Sequence, residues 1–212
     1  MSYPRRELLL RLGYFIAGVA ITAVGAAIFV LTATGTDPFG VLMQGTARLL
    51  GVSNGTAHMG LNATFLLLIL CFARKYIHVG TFASLVVIGP MIDLSTFLLR
   101  GFIGEWQPLA LRLAISAGGV VLIAFGLSGI INASVGVGAN DLISIILSDR
   151  LHRQFRWVRI AVDASFVLIG WPLGGVVGIG TVFCVLLIGP VSQFFVPHTG
   201  RLLAHLLRRF GE

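Results

Sequence analysis

Residues 79–98, VGTFASLVVIGPMIDLSTFL, and residues 179–197, IGTVFCVLLIGPVSQFFVP, decide how this chain folds. Each is close to the ~20 apolar residues that a helix needs to cross the hydrocarbon core of a bilayer. Each also carries Gly-Thr near its start and Ile-Gly-Pro in its middle. These are Gly80-Thr81 and Ile88-Gly89-Pro90 in the first, Gly180-Thr181 and Ile188-Gly189-Pro190 in the second. The match continues upstream, where Asn62-Ala63-Thr64-Phe65 aligns with Asp163-Ala164-Ser165-Phe166. Further back, Gly18, Gly25 and Gly35 align with Gly119, Gly126 and Gly136, and Leu10-Arg11-Leu12 aligns with Leu111-Arg112-Leu113. Glycine and leucine alone recur by chance in membrane helices, but ordered matches of this kind do not. The chain reads as an internal duplication, with a first repeat over 1–100, a second over 101–198 and a tail over 199–212.

Composition sets the solvent. Of 212 residues 57% are hydrophobic and 11% charged, and the mean hydropathy is +0.97. A soluble domain carries about a quarter charged residues, so lipid is the expected surroundings. Six stretches approach spanning length: 12–33, 57–73, 79–98, 111–133, 157–173 and 179–197. The first is too long for a signal-peptide core and reads as a retained helix. Two further segments, 36–51 and 137–151, are too short to cross and read as re-entrant or interfacial helices.

Three crossings per repeat is an odd number, so the second repeat enters the membrane from the opposite side. The expected fold is an all-α polytopic membrane protein. Its six transmembrane helices form two inverted three-helix repeats, each with an extra short helix. Of the 15 lysines and arginines, only Arg48, Arg100 and Arg112 fall outside when the N-terminus is placed in the cytoplasm. The positive-inside bias therefore puts both termini there. The net charge of +7 is spent in these clusters, with no basic face interleaved with aromatics, which argues against a nucleic-acid partner. Arg201–Glu212 alternates leucine with arginine and histidine and reads as a basic amphipathic helix on the inner leaflet. Cys71 and Cys184 lie in apolar runs without redox or metal spacing.

Several motifs resemble the YczE-like branch of the YczE/YyaS/YitT bacterial membrane proteins. They are Gly35-Thr36-Asp37-Pro38-Phe39-Gly40, the counterpart Gly136-x-Gly138-Ala139-Asn140-Asp141, Gly55-Thr56-Ala57, and Gly178-Ile179-Gly180-Thr181 with Ile188-Gly189-Pro190. The likeness covers nearly the whole chain. Where the family's first motif is similar to Gly-x-Gly-Pro-Trp-Asp, this chain has Gly40 at the acidic position and Asp37 earlier. The resemblance implies the fold and a place in the bacterial inner (cytoplasmic) membrane, and no substrate.

Ionisable side chains at bilayer depth cost about 2.5–3.5 kcal/mol on insertion scales, so they face a cavity or a partner. Asp163 follows Arg159 by four residues, one helix face. The pair reads either as a structural ion pair or as a coupling carboxylate with its partner. His58 and Asn62 hold the matching positions in the first half, with His58 taken alone reading as a solvated histidine near the outer interface. Asp93 lies three residues after Pro90, and Gln193 three after Pro190. A proline within a helix exposes a carbonyl one turn earlier, so with Gly89 and Gly189 these are hinge or kink points, either cavity walls or simple kinks. Asn140 and Asp141 read as helix caps or as tuning an ion site at a helix N-terminus. Asp37-Pro38 opens the first short helix in the same way.

Function follows from what is present and what is not. No nucleophile paired with a base, zinc-ligand set or cofactor motif appears, so no enzyme, cofactor or metal is expected. Gly174-Gly175-Val-Val-Gly178-Ile-Gly180 lacks the lysine and serine or threonine of a phosphate loop. Inverted repeats with discontinuous helices are common in secondary transporters. The expectation is a small transporter moving a small solute or ion by alternating access, with Asp163, Arg159, Asn62 and Asp141 on the cavity floor. A channel of the same architecture and a non-transporting accessory protein are the alternatives. Lipid is the certain neighbour, and a homodimer is a candidate assembly.

Overall fold

The computed structural model describes residues 4–210. They form eight α-helices: α1 (Arg5–Thr32), α2 (Pro38–Leu50), α3 (Asn54–Phe72), α4 (Val79–Leu99), α5 (Leu109–Ala133), α6 (Ala139–Leu151), α7 (Phe155–Gly170) and α8 (Ile179–Phe210), with one 3-10 turn at Arg74–Tyr76. No strand occurs among the described residues. Five of the helices, α1, α3, α4, α5 and α8, are long and apolar enough to cross a membrane. Large apolar side chains stand outward on them, among them Phe82, Val86 and Phe97 on α4 and Val182, Leu186 and Phe194 on α8. Water would not tolerate that surface, and lipid does. The protein is a multi-pass helical membrane protein. The expected span at 157–173 is instead the 16-residue α7, about 24 Å at 1.5 Å per residue, below the ~30 Å of hydrocarbon.

The centre is an antiparallel pair, α1 against α5. Gly18 lies against Gly126 and Gly25 against Gly119, so closely that an added Cβ would stand 2.9 and 2.8 Å from the facing carbonyl oxygens. Small residues allow this backbone approach. Both ends of the pair are tied. Arg112, at the start of α5, donates from Nε to the carbonyl of Thr32 at 2.6 Å and from Nη2 to that of Ala33 at 3.2 Å. Arg11, near the start of α1, donates from Nη1 to the carbonyl of Ala133 at 3.3 Å. An arginine at a helix C-terminus satisfies orphan carbonyls and meets the negative end of the dipole. Ala33 and Ser134, the residues that close α1 and α5, both adopt the left-handed conformation, with φ of 47° and 54°.

The outer helices are pinned to the same loops. The Gly80 amide donates to the Val135 carbonyl at 2.9 Å, and the Gly180 amide to that of Thr34 at 2.8 Å. The start of α4 thus lies beside the end of α5, and the start of α8 beside the end of α1. Tyr14 donates to the carbonyl of Thr199 at 2.8 Å, and Asn132 to the Thr199 hydroxyl at 2.8 Å. The start of α1 and the late part of α8 therefore share one end of the bundle. Residues 200–210 continue α8 instead of forming a helix apart, and Leu203 is buried; the last two residues of the expected tail lie outside the described residues.

The short helices fill the remaining space. α2 packs on α7, where Gly45 and Gly170 meet backbone to backbone. α6 packs on α3 through Ile146 and Ile69. α3 also packs along α4, whereas α7 packs on α2 and α6 and barely meets α8 among the described residues.

Candidate functional site

A cavity of about 140 Å³ lies at the middle of the bundle. Its walls come from the centre of α1 (Phe15, Val19, Thr22), from α4 (Ser84, Ile88, Ile92) and from α5 (Ile123, Leu127, Ile130). Its polar end is built where the two short helices begin, by Thr36, Asp37, Asn140 and Asp141, with His58 and Asn62 of α3 beside them.

Each of these groups is held by its surroundings. Asp37 is the N-cap of α2, accepting from the Gly40 amide at 3.2 Å and from the Thr36 hydroxyl at 3.1 Å, and Pro38 follows it at the first helical position. A carboxylate cap satisfies an orphan amide and meets the positive helix end. α6 begins differently. Its N-cap is Gly138, with no side-chain cap bond. Asn140 and Asp141 lie in its first turn, so neither caps it. The Asn140 amide donates to Asn62 Oδ1 at 3.2 Å, which ties α6 to α3. Asp141 turns to α7 and receives Arg159 Nη1 at 2.7 Å.

Arg159 is shared. Its Nε also donates to Asp163 at 3.0 Å, the pair expected from the four-residue spacing. Its second carboxylate, Asp141, comes from 18 residues away and was not legible as a partner. Arg159 and Asp163 lie behind Asp141 and do not line the cavity. Asp163 Oδ1 is buried with no hydrogen-bond partner among the described residues.

His58 is not the solvated side chain expected from its place near a helix end. It is 7% exposed, its ring meets Phe39 edge to face at 5.2 Å, and its Nδ1 is 3.2 Å from Asn62 Nδ2. Burial follows from α2 folding back over α3 and placing Phe39 on it.

The remaining candidates stand away from the cavity. Asp93 accepts from the Ser53 hydroxyl at 2.5 Å and from the Gly55 amide at 2.8 Å, clamping the start of α3 to α4. Gly55 and Gly89 pack against one another beside this clamp. Gln193, its counterpart on α8, is exposed and its side chain makes no hydrogen bond among the described residues. Pro90 and Pro190 lie inside α4 and α8, and Gly189 has open space where Gly89 has a neighbour. Missed from the sequence were the helix-end roles of Arg11 and Arg112, although the matching Leu-Arg-Leu triplets marked both. Also missed was the buried hydroxyl group of Thr32, Thr34 and Ser116, where Thr34 and Ser116 lie 2.7 Å apart.

A bundle of apolar helices around a small cavity with carboxylates at one end defines a polytopic membrane protein with an internal polar site. Residues 9–197 match the family of unknown function DUF6198, and the chain belongs to that family. It is 25% identical over 206 residues to the uncharacterized membrane protein YczE of Bacillus subtilis, covering 97% of this chain and 94% of that one. An uncharacterized protein of Haemophilus influenzae is 29% identical over 186 residues, covering 87% and 82%. The uncharacterized protein YyaS of Bacillus subtilis is 26% identical over 188 residues, covering 87% and 91%. The YczE-like resemblance read from the motifs is thereby established. No solved structure matches the chain.

Proposed function

We propose that this protein is a small secondary transporter that works by alternating access between two inverted repeats. The observation that carries the reading is a broken symmetry. Contacts between the halves come in exchanged pairs: Arg11 to Ala133 and Arg112 to Thr32, Gly80 to Val135 and Gly180 to Thr34. Members of each pair correspond at offsets of 100 or 101 residues, as a pseudo-two-fold axis in the membrane plane requires. The symmetry fails in the polar residues that open α2 and α6 and, for the motion, at one pair of seams. The α3–α4 seam is shut by Asp93, whereas among the described residues α7 and α8 barely meet and the Gln193 side chain has no partner. Two halves of one design held in different arrangements are what a rocking transporter needs, since the opposite state exchanges the two arrangements.

In this reading α7 carries the chain between the ends of the bundle and completes six crossings. α2 and α6 are re-entrant, because their first residues enclose one cavity at the middle of α1. With both termini cytoplasmic, as the arginine bias supports, the protein is closed outside at Asp93 and poised to open inward.

Purified protein in liposomes tests this. Saturable uptake with accelerated exchange is the expected result. Flux that never saturates indicates a channel instead, and no flux over a broad panel of small solutes refutes the reading.

A further inference from the structure

The geometry points to a small organic cation bearing a hydrogen-bond acceptor, of the amino-alcohol type, as the ligand of the central cavity. The inference rests on the transporter reading only for what happens after binding.

Charge comes first. Asp37 and Asp141 line the cavity and no lysine or arginine does. Arg159 is divided between Asp141 and Asp163. Asp37 meets only a hydroxyl and an amide, with no ion pair among the described residues. One guanidinium therefore faces three carboxylates. The beginnings of α2 and α6 alone would favour an anion, but Asp37 already occupies the first and Asp141 sits in the first turn of the second. An incoming anion would meet carboxylate oxygen.

The walls then separate organic cations from metal ions. Phe15, Val19, Met43, Ile92 and Leu127 are apolar, and no group of three or more His, Cys, Asp and Glu able to hold a metal occurs among the described residues. A bare metal ion needs several more oxygens. An ammonium with an apolar body finds carboxylates at one end and aliphatic and aromatic surface at the other. At 140 Å³ the cavity has the room of about five waters at liquid density, enough for a ligand of several heavy atoms.

His58 supplies the third requirement. The Asn140 amide must donate to Asn62 Oδ1, so Asn62 Nδ2 faces His58. Nδ1 of His58 then accepts, and in the neutral ring the proton is on Nε2. That donor has no partner among the described residues although the ring is more than nine-tenths buried and lines the cavity. A hydroxyl or carbonyl on the ligand would satisfy it.

Thermal stabilisation and equilibrium binding on the purified full-length protein, with choline, tetramethylammonium, 3,3-dimethylbutan-1-ol and acetate as probes, test this. Choline should bind most tightly, tetramethylammonium more weakly, and the neutral isostere and acetate not at all. Asp37→Asn should weaken choline by about tenfold or more, the loss of one charge-assisted contact, while keeping its helix cap. Asp141→Asn should act in the same direction, and Asp149→Asn, on the surface, should change nothing. Overturning results are binding of the neutral alcohol or acetate as strong as that of choline, no cation binding, or cation binding indifferent to Asp37→Asn and Asp141→Asn. Equal binding of choline and tetramethylammonium would overturn the acceptor requirement. Asp37-dependent binding without flux would refute the transporter and leave the site standing, whereas flux of another solute class without cation binding would do the reverse.

Discussion

Replacing Asp93 with alanine removes both bonds that hold the start of α3 to α4. The carboxylate accepts from the Ser53 hydroxyl at 2.5 Å and the Gly55 amide at 2.8 Å. A hydrogen bond to a charged group contributes about 1.5–3 kcal/mol when buried. Ser53 is exposed and Asp93 only half-buried, so solvent recovers much of the loss, and about 2 kcal/mol for the clamp is reasonable. If the clamp operates in only one of two states, removing it shifts their ratio by roughly thirtyfold. The layer beneath it, Met43, Ala57 and Ile92, is packed shut, and Met43 lines the cavity. With Cys71 and Cys184 replaced by serine, a cysteine at Met43 should react with a charged, membrane-impermeant thiol reagent from outside far faster in Asp93→Ala than in the parent. An unchanged labelling rate in a well-folded variant would show that Asp93 is a local tie and not a gate.

Three further outcomes follow from the geometry. Arg159→Gln leaves Asp141 and Asp163 facing each other; because all three side chains are a quarter to a third exposed, the cost should be about 1–2 kcal/mol, below that of a fully buried pair. Thermal unfolding in detergent should show Asp163→Asn recovering part of it in the double variant. Gly25→Val drives a side chain into the backbone of α5 at Gly119 and should destabilise by about 1–3 kcal/mol, while Gly13→Val, with open space around it, should be neutral in the same assay. Arg112→Ala, which removes bonds of 2.6 and 3.2 Å to two carbonyls at the end of α1, should lower the unfolding temperature more than Arg11→Ala, whose bond to the Ala133 carbonyl is 3.3 Å and whose ion pair with Glu7 stays within one helix turn; equal effects would contradict the helix-end account.

Helix positions were legible because hydropathy changes sharply at their ends. Residues 79–98 were expected and Val79–Leu99 observed, and the short helix expected over 137–151 is Ala139–Leu151. Asp37 at the start of α2 followed from local chemistry, since Asp before Pro is a helix opening whatever surrounds it. Long-range pairings were not legible. Nothing in the spacing of Asp141 and Arg159 announces their contact, which exists because α6 turns back on α7. The distance from Pro90 to Asp93 suggested either a cavity wall or a simple kink, and neither reading names its partner, the start of α3, 38 to 40 residues away. α7 ends early because Gly170 must pass directly over α2, and α8 continues past Pro197 because Thr199 is held by Asn132 and Tyr14.

Alternating access requires two seams that close in turn. Spin labels on Val52 and Phe97 report the α3–α4 seam, and labels on Gln154 and Gln193 the α7–α8 seam, by measurement of the distance between the two unpaired electrons in lipid nanodiscs. In the parent protein the first pair should be close and the second apart. Introducing Asp93→Ala should lengthen the first distance and shorten the second together. A first seam that opens while the second keeps its distance, or two seams fixed in both proteins, would contradict alternating access by exchanged repeats.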